Sequence, residues 1–197
     1  TRTSASASSA KLAEEGFRLL QRGKYDADRQ QLAQAAQQAD SPGPGLLNNL
    51  ALAQWHSGAW EAALTTFRLG LERHPGERRL AHNLGRLALT HDDADYRGRA
   101  AAILLRAQAE EARSGRWALL GGLYRSLGRL KAAEKVYRRE LAAGGGWQAW
   151  LGLGLTLEQA GHSGGAREAY QNALEGAPAH RETVRKRLRG KLVGSGG

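Results

Sequence analysis

There is no cysteine and no methionine in the 197 residues, and there are only two phenylalanines and four prolines. Without cysteine the chain has no disulfide, no thiolate nucleophile and no thiolate metal ligand, although this does not identify a compartment. Without methionine it lacks a start of its own, and we expect a fragment or a processed product. β-Branched residues are scarce while Ala, Leu, Gln, Arg and Glu dominate, which argues against strands and for an all-α protein. No apolar run approaches the roughly 18 residues of a membrane span. A signal or anchor ahead of Thr1 would lie outside this sequence. No phosphate-cradling glycine loop, catalytic dyad or nucleophile signature is present. The six histidines (His56, His74, His82, His91, His162 and His180) form no i, i+4 pair. The cluster His91, Asp92, Asp93 and Asp95 lacks the spacing and glycine of a calcium loop and reads as a solvated turn. No metal, no cofactor and no catalysis are expected.

Positive charge is in excess, at a formal +10, but unevenly spread. Residues 181–191 hold Arg181, Arg185, Lys186, Arg187, Arg189 and Lys191 against the single acid Glu182, which accounts for half of the excess. The rest of the chain is only mildly basic. A basic end on such a body is a weaker nucleic-acid signal than the whole-chain charge implies.

The organising stretch runs from Trp147 to Pro178. Trp150 is followed by Leu153-Gly154 and Leu157, then by a turn at Gly161, and then by Ala166, Tyr170, Ala173 and Pro178. Small residues at Gly154 and Ala166 let two helices cross closely, and Trp150, Leu153, Leu157 and Tyr170 fill the rest of the crossing. Gly161 permits a sharp helix–helix turn, and Pro178 ends the second helix. This arrangement resembles the tetratricopeptide repeat, whose period is about 34 residues.

Other segments follow the same template. Residues 11–43 make a degenerate first repeat, with Leu12, Gly16, Phe17 and Leu19 on one helix, Gly23 and Tyr25 at the turn, and Leu32 and Ala35 on the next helix. Glu15 and Asp28 depart from the pattern, as end repeats often do. The breaker Ser41 to Gly45 precedes residues 44–77, where Leu47, Leu50, Ala51, the turn at Gly58, a packed Trp60, Ala63, Phe67, Gly70 and Pro75 keep register. Residues 78–113 begin with Ala81, Leu84-Gly85 and Ala88. They then carry Thr90 to Tyr96 in place of a turn glycine, with Ala100, Leu104 and Ala107 on the second helix. The glycines agree: Gly58 and Gly128 are 70 residues apart and Gly128 and Gly161 33 apart, so the extra turn residues fall in this repeat. Residues 114–146 supply Trp117, Leu120-Gly121, Tyr124, Gly128, Ala133 and Tyr137, with Gly144 to Gly146 in place of the closing proline. Residues 147–180 are the organising repeat.

Val184, Leu188 and Leu192 lie at helical spacing in residues 181–193, which read as a capping helix. Residues 1–10 read as a disordered linker and 194–197 as a flexible tail. The expectation is a single all-α domain over 11–193, a tetratricopeptide superhelix of about five helix pairs plus a cap, with a concave groove.

The final repeat, with Trp147, Trp150, Gly152, Leu153, Gly154, Leu157, Glu158, Gly161, Ala166, Ala169, Tyr170 and Ala173, is also similar to the C-terminal repeats of mannose-sensitive haemagglutinin (type IV pilus) biogenesis proteins. That resemblance implies a bacterial envelope protein, periplasmic-facing or membrane-anchored through a segment outside this chain, with a pilus or secretion-system component as partner. Related secretion and pilus-assembly repeat proteins are equally admissible, and a cytoplasmic location stays open.

The fold implies a scaffold that binds a protein or peptide segment in the groove. First-helix residues off the helix crossings line it: Asn48, Asn49, Leu52, Trp55 and His56; His82, Asn83, Arg86 and Leu89; Ala118, Gly122 and Arg125; Leu151, Leu155, Glu158 and Gln159. Asn49 and Asn83 occupy equivalent places, suited either to a peptide backbone or to a structural role. Leu52 and Trp55 suit either an apolar anchor pocket or helix packing. A clamp for a terminal carboxylate is disfavoured, because no lysine lies on these faces. The basic segment reads as a solvated cap face, as a dock for acidic protein or anionic lipid, or, least favoured, as a nucleic-acid contact, since no aromatics interleave it.

Overall fold

The computed structural model describes residues 25–109 and 117–194. The linker over 1–10, the first helix of the first repeat with Gly23, and the last tail residues lie outside them. Among the described residues there are ten helices and no strand. They are α1 (Tyr25–Gln38), α2 (Pro44–His56), α3 (Trp60–Arg73), α4 (Arg78–Thr90) and α5 (Ala94–Ala109), then α6 (Trp117–Ser126), α7 (Leu130–Ala142), α8 (Trp147–Gln159), α9 (Ser163–Gly176) and α10 (Glu182–Gly194). Two compact units divide the chain, with boundaries inside α4 between Leu84 and Gly85 and inside α5 between Leu105 and Arg106.

In the first unit, Leu32 and Ala35 of α1 pack on Leu46, Leu50 and Ala53 of α2. Phe67 and Ala63 of α3 are fully buried, as the small–large alternation requires. Gly70 is small because the Leu80 side chain packs against it; an added Cβ would lie 2.9 Å from Leu80 Cδ1. Two expectations are corrected here. Tyr25 is the first residue of α1 rather than part of a turn. Trp60, expected to pack after its turn, opens α3 and is 47 % exposed.

In the second unit, Ala133 and Tyr137 of α7, Leu153 and Leu157 of α8, Ala166, Ala169, Tyr170 and Ala173 of α9, and Leu188 of α10 form one core. Ala100 and Leu104 of α5 in this unit are buried, as is Ala107 of α5 in the first unit, as the small–large–small spacing predicts.

The turns inside repeats are built alike. Gly58, Gly128 and Gly161 have φ of +79°, +69° and +79°. At each, the glycine N–H and the next N–H donate back into the preceding helix, as with Gly161 to Glu158 O (3.0 Å) and His162 to Leu157 O (2.8 Å). This pattern satisfies the last carbonyls of the helix and requires a left-handed residue. Gly161→Ala should therefore cost about 1–2 kcal/mol from backbone strain alone, since no atom stands within 4 Å of the added Cβ. Gly98→Ala, within a helix and equally open, should instead stabilise by about 0.4–1 kcal/mol. Equal urea midpoints for the two variants would contradict this account. The Gly144 to Gly146 stretch is a formed cap of the same kind: Gly144 has φ +84° and the Gly145 N–H donates to Glu140 O at 2.8 Å.

The turn without glycine uses side chains. Arg97 Nη1 donates to the carbonyls of His91 (2.7 Å) and Asp92 (3.1 Å), and Thr90 Oγ1 donates to Leu87 O (2.7 Å). Asp93 Oδ1 accepts the Asp95 N–H at 2.8 Å and so caps α5. Tyr96, read from the sequence as the end of this turn, lies on α5 and is 1 % exposed, with the His91 ring stacked on it at 4.4 Å. The polar turn residues thus act as helix caps. Among the described residues, no three His, Asp or Glu side chains are grouped to hold a metal ion.

Candidate functional site

The first helices α2, α4, α6 and α8 recur at the repeat spacing, so equivalent side chains recur on one face of each. In the first unit the amides do not stand alone. Asn83 Nδ2 donates to Asn48 Oδ1 at 2.8 Å, and Asn48 Nδ2 donates to Asn49 Oδ1 at 3.4 Å. Asn48 and Asn49 are buried and Asn83 is half-buried. Much of the hydrogen-bonding capacity of Asn48 is therefore spent inside the protein, joining α2 to α4. Leu52 and Trp55 are half-buried, and His56 and His82 are exposed. An open cleft of about 360 Å³ also lies in this unit, between Ala36, Pro42, Leu50 and Leu69, with Asp40 and Arg73 at its edge. None of the sequence-predicted site residues lines it.

In the second unit the candidates recur as i, i+3 pairs: Arg86 and Leu89 on α4, Gly122 and Arg125 on α6, Leu155 and Glu158 on α8. Arg86, Leu89, Glu158 and Gln159 are exposed; Ala118, Arg125, Leu151 and Leu155 are half-buried; Gly122 is buried. A Cβ on Gly122 would lie 3.4 Å from a Leu89 methyl and 3.7 Å from the Tyr137 hydroxyl. Arg125 sits beside Tyr137. Burial raises the Tyr137 pKa, and the charge and hydrogen bonding of Arg125 oppose that rise.

Tyr170 and Glu158 continue the same line. The Tyr170 hydroxyl donates to Glu158 Oε2 at 2.8 Å, and Lys191 Nζ of α10 reaches both Glu158 oxygens, at 2.6 and 2.9 Å. Burial, and next the bonded Glu158 carboxylate, push the Tyr170 pKa up, so it stays a neutral donor. The hydrogen bond from Lys191 is the main reason the Glu158 pKa is lowered, against a smaller opposing effect of desolvation. A carboxyl whose folded pKa is depressed adds stability above its unfolded pKa, about 4.3, and loses that contribution as pH falls through the folded value. The two side chains are 41 % and 32 % exposed, which limits the pair to about 1 kcal/mol or less. Lys191→Ala should therefore destabilise at pH 7 by up to that amount, and by progressively less as pH falls from the unfolded carboxyl pKa through the lower folded one. Urea titrations of both proteins over a series of pH values downward from 7 check this, and a pH-independent difference would count against the pair.

The basic segment is only partly outward-facing. Arg185 Nη1 donates to the carbonyls of Leu174 (2.9 Å) and Ala177 (2.7 Å), closing the end of α9. Arg189 pairs with Glu182 at 3.0 Å, and Lys191 is held by Glu158. Arg181, Lys186 and Arg187 are exposed. Tyr137 and Tyr170, named in the sequence only as packing residues, also carry the hydroxyls that meet Arg125 and Glu158. The available signal was spacing: the Glu158–Lys191 and Asn48–Asn83 contacts join residues 33 and 35 apart, one repeat each.

The family model of the tetratricopeptide repeat matches residues 115–139. No curated protein matches the chain by sequence. Among solved structures, the chain is similar to a thermophilic TPR protein of Thermus thermophilus (TM-score 0.62, 23 % identity, 94 % of this chain and 99 % of that one covered). It is likewise similar to a tetratricopeptide repeat protein of Parabacteroides merdae (TM-score 0.66, 18 % identity, 94 % and 74 % covered). A third is MamA of Desulfovibrio magneticus RS-1 (TM-score 0.61, 18 % identity, 85 % and 94 % covered). The fold is an all-α tetratricopeptide-repeat solenoid.

Proposed function

We propose that this chain is a non-enzymatic scaffold whose repeats capture a segment of a partner protein on the inner faces of their first helices. The observation that carries the reading is the recurrence of exposed or half-buried apolar and polar side chains at equivalent first-helix positions, while the helix-crossing positions are buried. A solenoid needs the second set to fold and not the first. Within this reading, Leu52 and Trp55 give apolar contact and Asn83 gives direction in the first unit, and Leu89 and Leu155 give apolar contact and Arg86, Arg125 and Gln159 give direction in the second. From the sequence resemblance of residues 147–174 and the helix after them to type IV pilus biogenesis repeats, we read a finer role, assembly of a bacterial pilus or related secretion system in the cell envelope.

Arg86→Glu tests the capture. Arg86 is exposed and pairs with no carboxylate among the described residues, so the substitution should leave helicity and thermal midpoint unchanged. Asn83→Ala is less suitable, because it would also strip a partner from buried Asn48. The tagged chain would be cross-linked in bacterial envelope extract. A protein retained by the parent, and by a Lys186→Gln/Arg187→Gln variant, should fall at least about fivefold with Arg86→Glu, the loss expected for a charged interface contact. Retention equal in all three proteins would remove the inner face from the function. A pilus or secretion component as the retained protein would support the finer assignment.

A further inference from the structure

We infer that the inner face of the second unit selects a partner segment carrying an acidic side chain next to a bulky apolar one, the acid pairing with Arg125 beside Leu89. This rests on the capture reading above and goes further by naming the chemistry captured.

The argument starts from charge. On this face the ionisable residues are Arg86, Arg125 and Glu158, joined by Lys191 from α10. The single acid is already answered twice, by Lys191 Nζ and by the Tyr170 hydroxyl. The two arginines have no carboxylate partner among the described residues. Arg125 is half-buried rather than freely solvated, so its charge is less screened than that of a surface arginine. The face therefore offers unpaired positive charge and accepts negative charge.

Shape fixes where. Gly122 presents no side chain one helical turn from Arg125. Gly122 is itself buried, and a Cβ on it would stand in contact with the Leu89 methyls at 3.4 and 3.6 Å and the Tyr137 hydroxyl at 3.7 Å, so Leu89 packs over it beside Arg125. Leu89 is 38 % exposed, one of few large apolar residues left uncovered among those described. Across Arg125, Leu155 lies half-buried against the core of this unit. A bound segment thus meets apolar surface at Leu89, a guanidinium at Arg125 and apolar surface again at Leu155. A carboxylate on Arg125 could accept two parallel N–H bonds, a geometry a terminal ammonium cannot offer. A basic segment would face two like charges instead.

The test uses the full chain and a phage-displayed library of random twelve-residue peptides. Panned on the parent protein, the library should yield Asp or Glu adjacent to Leu, Ile or Phe. A selected peptide should bind at least about tenfold more weakly to Arg125→Gln, and its own acid-to-amide variant should lose the same factor against the parent. The two changes combined should add little, as expected for one shared contact. Leu89→Ser, at an exposed apolar position, should weaken binding of the same peptide with the circular dichroism spectrum unchanged. If Arg86→Glu disturbs binding but the selected peptides carry no acid, or ignore Arg125→Gln, this inference fails while capture on the inner face stands. Polyacidic peptides without apolar residues, released by salt, overturn it in favour of a diffuse anion-attracting surface. If no selected peptide responds to Arg86→Glu, Arg125→Gln or Leu89→Ser, both readings fall.

Discussion

Gly152→Ala is expected to destabilise the chain by about 2–3 kcal/mol, in the range of core overpacking, although alanine is the better helix former by about 1 kcal/mol. The cause is the Tyr137 ring, which is 4 % exposed on α7 and lies between two first helices. A Cβ on Gly152 of α8 would fall on Tyr137 Cε1 and Cζ. A Cβ on Gly121 of α6 would lie 2.7 Å from Cζ and 2.8 Å from Cε2 on the same ring. The ring is therefore held between two glycines and cannot retreat from one without meeting the other. Tyr137→Leu alone should cost about 2–3 kcal/mol by leaving a cavity. The double variant should lose less than the two single losses together, because the new methyl enters space the ring has vacated. Urea unfolding of the four proteins completes the cycle. Strict additivity, or a Gly152→Ala protein as stable as its parent, would show that the ring is not wedged.

That contact shows what could be read from the residues alone. The periodic recurrence of Leu-Gly, Ala and Tyr places helices, crossings and turns, because each type answers a local demand. A left-handed turn needs Gly58, Gly128 or Gly161, and a close crossing needs Gly154 beside Tyr170. Where the local demand is met by another chemistry, the pattern misleads. Arg97, Asp93 and Thr90 cap helices in the third repeat, so Tyr96 belongs to α5 and its core. Trp60, at the start of α3, is aromatic yet half-exposed, and an aromatic type by itself does not tell the two environments apart. The candidate site was legible as a face but not as a network. Register assigns Asn48 and Asn49 to the inner face, but it does not say that Asn83 will reach across one repeat to occupy Asn48. Likewise Glu158 and Lys191 read as members of separate groups, a groove and a basic patch, until the one-repeat spacing brings them together. Long polar side chains choose partners across helices, and sequence spacing constrains that choice only where the repeat places the two within reach.

The capping role of α10 supplies the other large effect. Leu188 is 1 % exposed and joins the core formed by Ala169, Tyr170 and Ala173, with Val184 and Leu192 beside it. Its burial is worth about 1.5–3 kcal/mol, and an unpaired carboxylate there adds a desolvation cost of its own. Leu188→Asp should therefore detach α10 and lower stability by about 3–4 kcal/mol, the combined scale of those two effects. Lys191→Ala removes an interaction limited to about 1 kcal/mol or less, so the two variants separate apolar anchoring from the ion pair. Amide hydrogen exchange gives the local readout. Protection across residues 184–192 should vanish in Leu188→Asp and persist in Lys191→Ala. If both variants keep it, α10 is fixed by contacts other than its apolar stripe. If both lose it, the cap needs the Glu158 pair as well as Leu188. In the expected case the cap is a hydrophobic element carrying basic side chains. Arg185 and Lys191 are then part of how the last repeat is closed, and Arg181, Lys186 and Arg187 are the cations of this segment left to meet the solvent.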